Sequence, residues 1–390
     1  LTTHPKDSKK KNMYIKKRII TYAVVLFVIL LYLFIFNHPK AAAEAQTAEL
    51  VQHFYIRYEG TINNKYNIIL HLTRRAGTLS GYYYYTSQNI PLFLSGSCDA
   101  AGNVLMEEST RKGEKTGRFT GRFTGAHHIT GTWQTADKKK QFPFELKESS
   151  AADYVRCTTY ELIDSSFLFE ESTDPPKIEI SLFYVYPHKY HNHHILHKLQ
   201  ELILPEASGN PQKALKMRYD SYVTIYRTDN SDVYDPELEW IFSWSHDYGT
   251  AVVLNDNNMF TCRFYFYDYM GGAHPLYGEG FMTFDMVTGK KLELDDIFSK
   301  SYEQQLAPLL DRKLRAQRDI PPEAALQDYG FFVDRILPND NFYVALDGIG
   351  FFFNIYEITP YAGGPDDIFL PFKEIKHLIK ADSPVRRLFE

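Results

Sequence analysis

Residues Thr116–Gly125 read TGRFTGRFTG. At a period of two, Phe119 and Phe123 share one face with Gly117, Gly121 and Gly125, while Arg118, Thr120, Arg122 and Thr124 share the other. This is the pattern of a strand with an aromatic face and a polar face. The glycines leave room beside the rings for a tight bend or close packing. The arginines read as a solvated face, with an arginine ligand patch as the alternative. Comparable runs lie on either side: Phe54–Tyr58, Tyr66–Leu72, Leu79–Tyr85, Ile90–Ser95, Asn103–Glu108, His128–Trp133 and Phe142–Leu146. Between them Asn63-Asn64, Ala101-Gly102 and Lys112-Gly113 have the chemistry of hairpin turns. Short antiparallel strands at this spacing predict a small all-β barrel or sandwich over 51–148.

Beyond it, strand and helix patterns mix. Lys177–Tyr186 alternates as a strand ending at Pro187. His193–Leu204 has helical spacing at Ile195, Leu196, Leu199, Leu202 and Ile203. Val252–Leu254, Met259–Asp268 and Gly278–Asp285 read as strands, and Tyr302–Arg318 as an amphipathic helix before Pro321-Pro322. Phe342–Leu346 and Gly350–Tyr356 read as paired strands, and Phe372–Lys380 as a final helix. This order predicts an α+β domain over 155–380.

Ahead of both lies Ile19–Phe36, eighteen residues without a charge, preceded by Lys16, Lys17 and Arg18. At about 1.5 Å rise per residue such a helix spans a bilayer core. The basic flank places the N-terminus in the cytosol and the bulk of the chain outside. The expected order is a basic cytoplasmic tail over 1–18, a transmembrane or signal segment over 19–36 and a linker over 37–50. An uncleaved anchor in a bacterial cytoplasmic membrane competes with a cleaved signal, for which Met13 would be the start and Ala41–Ala43 the cleavage site.

Residues 1–18 hold seven Lys or Arg and one Asp, so 36 basic and 47 acidic residues remain after them. An acidic bulk argues against nucleic acid as partner and suits a cationic one. Cys98, Cys157 and Cys262 form no CxxC pair, leaving one disulfide or three thiols open.

Two resemblances add to this. Tyr58-Glu59-Gly60-Thr61-Ile62, Leu79-Ser80-Gly81-Tyr82-Tyr83-Tyr84, Leu94-Ser95-Gly96 and Ile129-Thr130-Gly131-Thr132-Trp133, the last read as the barrel-closing strand, resemble a small all-β domain common in exported proteins of Bacteroidetes-type bacteria. Further on, Gly271-Gly272-Ala273-His274-Pro275 is followed by Thr288-Gly289-Lys290, Leu292–Phe298, Tyr356-Glu357-Ile358, Pro360-Tyr361-Ala362 and Gly364-Pro365. That succession resembles the extracytoplasmic domain of lysozyme-sensing anti-sigma-V factors, a domain type also found ahead of peptidoglycan deacetylase domains and of largely unknown function. The resemblance implies a binding or sensing ectodomain for a basic protein such as lysozyme, or for peptidoglycan. The basic tail is too short to form a sigma-binding domain, so the signalling output does not carry over.

Ligand-binding candidates are His274, Tyr356, Glu357 and Tyr361, with Gly271, Gly272, Gly289, Gly364 and Pro365 as structural motif residues. His193 and His197 stand at i, i+4, a spacing that can hold a metal, yet His194 replaces the Glu of HExxH. No catalytic set, cofactor or metal is expected. The alternatives are a carboxylate enzyme on cell-wall glycan, using Asp295, Asp296 and His274 with Asp366-Asp367 as a second acidic pair, and an envelope scaffold module.

Overall fold

The computed structural model describes residues 53–125, 127–169, 176–207 and 209–390. The expected tail, membrane or signal segment and linker lie outside them. Among the described residues no helix is long and apolar enough to cross a membrane.

The first eight strands, β1 (His53–Ile62), β2 (Tyr66–Arg75), β3 (Thr78–Tyr85), β4 (Leu92–Cys98), β5 (Asn103–Ser109), β6 (Lys115–Phe123), β7 (His128–Thr135) and β8 (Gln141–Glu148), form a closed antiparallel barrel in sequence order. Of the two expected architectures, the barrel is the one found. The strand taken to close it, Ile129–Trp133, is next to last. Closure is made by β8 on β1, from Tyr58 opposite Glu148 to Ile62 opposite Phe144. The expected turns are present: Asn63 and Asn64 both have positive φ, as a type I′ hairpin requires, and so do Gly102 and Gly113.

The TGRFTGRFTG face points as its alternation predicts. Phe119 and Phe123 are buried, and Phe119 meets Tyr83 and Phe144 edge-on at 5.3 and 5.1 Å between centroids. Arg118 lies outside, bonding Glu107 at 2.6 Å. Gly121 pairs with Gly131 directly beneath Phe144. A Cβ on Gly131 would stand 2.2 Å from Thr120 O and 2.9 Å from the Phe144 ring. Gly131→Ala should therefore cost about 1–3 kcal/mol through overpacking, read as a lower urea midpoint.

The second part holds a six-stranded sheet in the order β14-β13-β12-β11-β10-β9 and a three-stranded sheet, β15-β16-β17. The strands are β9 (Arg156–Phe167), β10 (Lys177–Lys189), β11 (Trp244–Asp256), β12 (Met259–Tyr269), β13 (Leu276–Asp285), β14 (Lys290–Lys291), β15 (Phe342–Ala345), β16 (Gly348–Phe353) and β17 (Asp366–Pro371). The helices are α1 (His193–Ile203), α2 (Pro211–Asn230), α3 (Leu294–Ile297), α4 (Tyr302–Gln317) and α5 (Phe372–Ile375). This is the expected α+β region.

β10 and β11 are parallel, which a hairpin cannot connect. The crossover carries α1 and α2. α1 starts at Asn192, whose side chain accepts from Ile195 N–H, and buries Ile195, Leu196, Leu199 and Ile203. Leu202, assigned to the same face in the sequence, is exposed. α4 buries Leu306, Leu310 and Leu314 at four-residue spacing. Pro187 does not end β10, which runs on to Lys189 with an irregularity in its pairing. The final helix is a single turn, Phe372–Ile375, and the following chain still packs into the core through Val385 and Leu388.

The barrel is joined to the rest by buried polar groups. Asp256, at the end of β11, accepts from Arg57 Nε at 2.8 Å, His71 Nε2 at 2.7 Å and the Tyr84 hydroxyl at 2.9 Å. Tyr55 donates its hydroxyl proton to His71 Nδ1 at 2.7 Å, which leaves Nε2–H to donate to Asp256. Burial alone would raise the Asp256 pKa, but His71 and Arg57 hold it below the usual carboxylate value. Tyr82 and Tyr84 of the barrel also enter the C-terminal core. Among the described residues the cores run from Phe54 to Phe389, and the portion 51–390 contains every core that those residues form. The three cysteines are free thiols.

Candidate functional site

β12 and β13 form a long hairpin whose loop contains Gly271-Gly272-Ala273-His274-Pro275. Gly271 has φ +72°, and a Cβ there would fall 1.6 Å from Ile241 O, so the backbone passes where no larger residue fits. This close approach holds the loop against the 3₁₀ segment Pro236–Phe242. Gly272 has open space around it, its nearest neighbour being His274 O at 3.8 Å.

His274 is exposed and stacks on Tyr361, with 3.6 Å between centroids and 19° between planes. Its Nδ1 lies 3.0 Å from Pro275 O and its Nε2 3.2 Å from the Tyr356 hydroxyl. A carbonyl can only accept, so Nδ1 carries the proton and Tyr356 donates to Nε2. Tyr277 meets Tyr361 edge-on at 5.9 Å. Residues 82 to 87 positions apart thus form one aromatic cluster at the hairpin tip. Tyr356 is 51% exposed although its φ is +66°. For a bulky residue this is a strained conformation costing on the order of 1–3 kcal/mol, of the kind that gathers at functional sites.

Glu357 is placed differently from the rings. Its carboxylate accepts from Asn354 N–H at 2.9 Å and Asn339 Nδ2 at 2.8 Å, tying the 354–359 turn to the neighbouring loop. That loop is fastened again by Phe332 N–H to Ile358 O at 2.8 Å. It exposes Phe332, 57% accessible, with Tyr329 and Leu337, and the exposed acids Asp328, Asp334 and Asp340. Gly364 has φ +71°, Gly289 has φ +72° beside Ile195, and Pro365 offers its carbonyl toward Arg318 at 3.4 Å. Gly364 closes the turn on Tyr361, its N–H donating to Tyr361 O at 3.0 Å, while Gly289 shapes the chain elsewhere, beside α1.

The other candidates are engaged elsewhere. Asp296 caps α3 through Glu293 N–H at 3.0 Å and pairs with Lys290 at 2.5 Å. Asp366 is buried against Arg318 at 2.8 Å, and Asp367 accepts from Tyr343. None of these carboxylates bonds to His274. His197 faces Glu201 one turn on, at 3.4 Å, and among the described residues no group of three or more His, Cys, Asp or Glu is placed to hold a metal ion.

Sequence reading missed one pair with the look of acid–base chemistry. His246 on β11 lies opposite Asp268 on β12. Its Nδ1 bonds the carboxylate, which also accepts from the Tyr248 hydroxyl at 2.6 Å. Tyr222 of α2 stacks on the imidazole at 5.0 Å, and the buried Nε2 has no partner. Only the strand register could have paired these residues. The pair is shut in beneath α2.

Residues 295–373 match the family model described as protein of unknown function DUF3298. A crystal structure of a DUF3298 family member from Bacteroides fragilis is similar at 28% identity and a TM-score of 0.55, over 60% of this chain and 97% of that one. A DUF3298 family protein from Pseudomonas aeruginosa is matched at 15% identity and a TM-score of 0.42, over 61% of this chain and 98% of that one. No curated protein matches. Residues 295–373 thus form a domain of the DUF3298 family, set behind an eight-stranded barrel in a chain whose function that family leaves open.

Proposed function

We propose that the chain is an extracytoplasmic binding protein and that the cluster of His274, Tyr356 and Tyr361 is its recognition surface. The carrying observation is Tyr356, an exposed tyrosine held at positive φ and bonded to a histidine stacked on a second tyrosine. Protein interfaces draw most of their energy from a few large aromatics, and strained backbone at an exposed residue is of the kind that gathers at functional sites. Tyr267, 40% exposed on β12, and Phe332 extend the aromatic surface.

The partner class follows from charge. Glu357 adjoins Tyr356, the loop tied to that turn exposes Asp328, Asp334 and Asp340 against Arg335, and the chain after residue 18 is acidic. A basic protein would be steered to such a surface. The resemblance to the lysozyme-sensing ectodomains supports a lysozyme-like hydrolase as that protein. Peptidoglycan, whose sugars also stack on aromatic rings, is the second ligand to test. In this reading Ile19–Phe36 tethers or exports the chain, with the folded bulk outside the bacterial cytoplasmic membrane.

Tyr356→Gly separates recognition from folding. Glycine accepts positive φ without strain, so stability should stay level or rise by up to about 1 kcal/mol. Affinity for an animal-type lysozyme should fall at least tenfold. Calorimetry and urea unfolding on the same sample measure both. Unchanged affinity would remove Tyr356 from the surface.

A further inference from the structure

One rim of the barrel does not seal against the six-stranded sheet. Between them lies a cleft of about 710 Å³, within the usual range of roughly 300–1,000 Å³ for small-molecule sites. The start of β1 and the end of β6 contribute Phe54, Ile56 and Phe123 to its walls, and β9 contributes Cys157 and Thr159. The walls are therefore largely apolar. They belong to two parts of the chain, and the lining runs from His53 to His188, so no local motif announces them.

The charged groups at the cleft are one-sided. Arg122 and Arg156 line it with the imidazoles of His53, His127 and His188, against Glu148 as the lone carboxylate; burial lowers the His188 pKa and favours its neutral form. Arg57 also reaches the lining but is committed to Asp256. Glu148 is already shared, pairing with Arg156 at 3.2 Å and with His127. His53 is held by the Thr159 hydroxyl at 2.8 Å and His188 by the Thr158 hydroxyl at 3.0 Å. Arg122 has no carboxylate at ion-pair distance among the described residues; Asp99 acts on it only at longer range. An otherwise acidic chain thus presents a concave, apolar, net-cationic site with one guanidinium unspent. It is the second arginine of TGRFTGRFTG, and its sister Arg118 is neutralised by Glu107.

We infer that this cleft binds a mid-sized organic anion with an apolar body, its carboxylate or phosphate head on Arg122 and its body against Phe54, Phe123 and Cys157. A guanidinium receives such a head through paired, charge-assisted hydrogen bonds, while the walls take up apolar surface. The site is separate from the aromatic cluster at the β12–β13 tip and stands or falls independently of it.

The portion 51–390 tests it with 1-anilinonaphthalene-8-sulfonate, which has an aromatic body and an anionic head. Fluorescence should rise to saturation with one site per chain. Decanoate or decyl phosphate should displace the dye, whichever is stronger naming the preferred head, and decyltrimethylammonium should not. Arg122→Ala should weaken binding roughly tenfold and Arg122→Lys should retain most of it. Thr158→Trp, at a half-buried lining position, should abolish binding by filling the cleft, with the urea midpoint kept. Unsaturable dye uptake, displacement by the cationic amphiphile as readily as by decanoate, or indifference to both Arg122→Ala and Thr158→Trp would overturn the assignment.

Discussion

Asp256→Ala should destabilise the protein by about 3 kcal/mol, the lower end of the cost of removing one member of a buried ion pair, because Arg57 keeps Glu59. Arg57 would keep its charge beneath Tyr154, some 5.1 Å from the ring centroid, with Glu59 and Ser149 as remaining partners. His71 and Tyr84 would each lose an acceptor. The effect should spread across the junction of barrel and sheet, because Asp256 belongs to β11 and its donors to β1, β2 and β3. Urea unfolding followed by tyrosine fluorescence measures it. Replacing both charges, Arg57→Met with Asp256→Leu, should recover part of the loss, since packed apolar groups often match a buried pair. The Asp256 pKa is depressed in the folded state. Its contribution is therefore present above the unfolded value near 3.8 and is lost as pH falls through the lower folded value. The wild type should lose stability steeply below about pH 4, and Asp256→Asn should flatten that limb.

Gly271→Ala should be the most damaging change at the proposed recognition surface. Positive φ alone costs alanine on the order of 1 kcal/mol. The larger penalty is steric, because the new methyl would lie 1.6 Å from Ile241 O and a backbone must shift. We expect a total of about 2–4 kcal/mol, with the 271–275 loop displaced and the His274–Tyr361 stack broken. The neighbouring Gly272→Ala should stay within about 0.5 kcal/mol, as nothing approaches its Cβ within 3.8 Å. Near-UV circular dichroism of the tyrosines and urea midpoints for the two variants make the comparison. Equal behaviour would contradict the packing described for Ile241.

The same contrast shows what the sequence could disclose. The barrel strands were legible because period-two alternation and Asn/Gly turns are local properties. Which strand closes the barrel was not, because closure depends on register across the whole sheet. α2 went unread because few of its residues are buried, Ala214, Leu215, Tyr219 and Tyr226 among them, so its apolar stripe is weak. Asn210 before Pro211 was the available signal, an N-cap followed by proline in the first turn. β17 was hidden for a similar reason: Asp366-Asp367 read as a carboxylate pair, whereas they point to opposite faces of a strand.

The spatial grouping of the candidate residues was partly legible. His274, Tyr356 and Tyr361 stood out by motif, and the fold brings them within bonding and stacking distance. Glu357, grouped with them, proves to be a turn brace through Asn354 and Asn339. The His246–Asp268 pair and the cleft at Arg122 are products of register and of packing between distant segments, which no local pattern records.

The central claim is that the aromatic tip of the β12–β13 hairpin recognises a basic partner. The most direct measurement is calorimetric titration of the 51–390 portion with an animal-type lysozyme at low and moderate salt, for the wild type and Tyr361→Ala. The account predicts a saturable complex for the wild type, weakened by salt as charge steering requires. It predicts affinity at least about thirtyfold lower for Tyr361→Ala, the effect of losing a central aromatic anchor. A complex of equal strength in both proteins, or no complex in either, would contradict it.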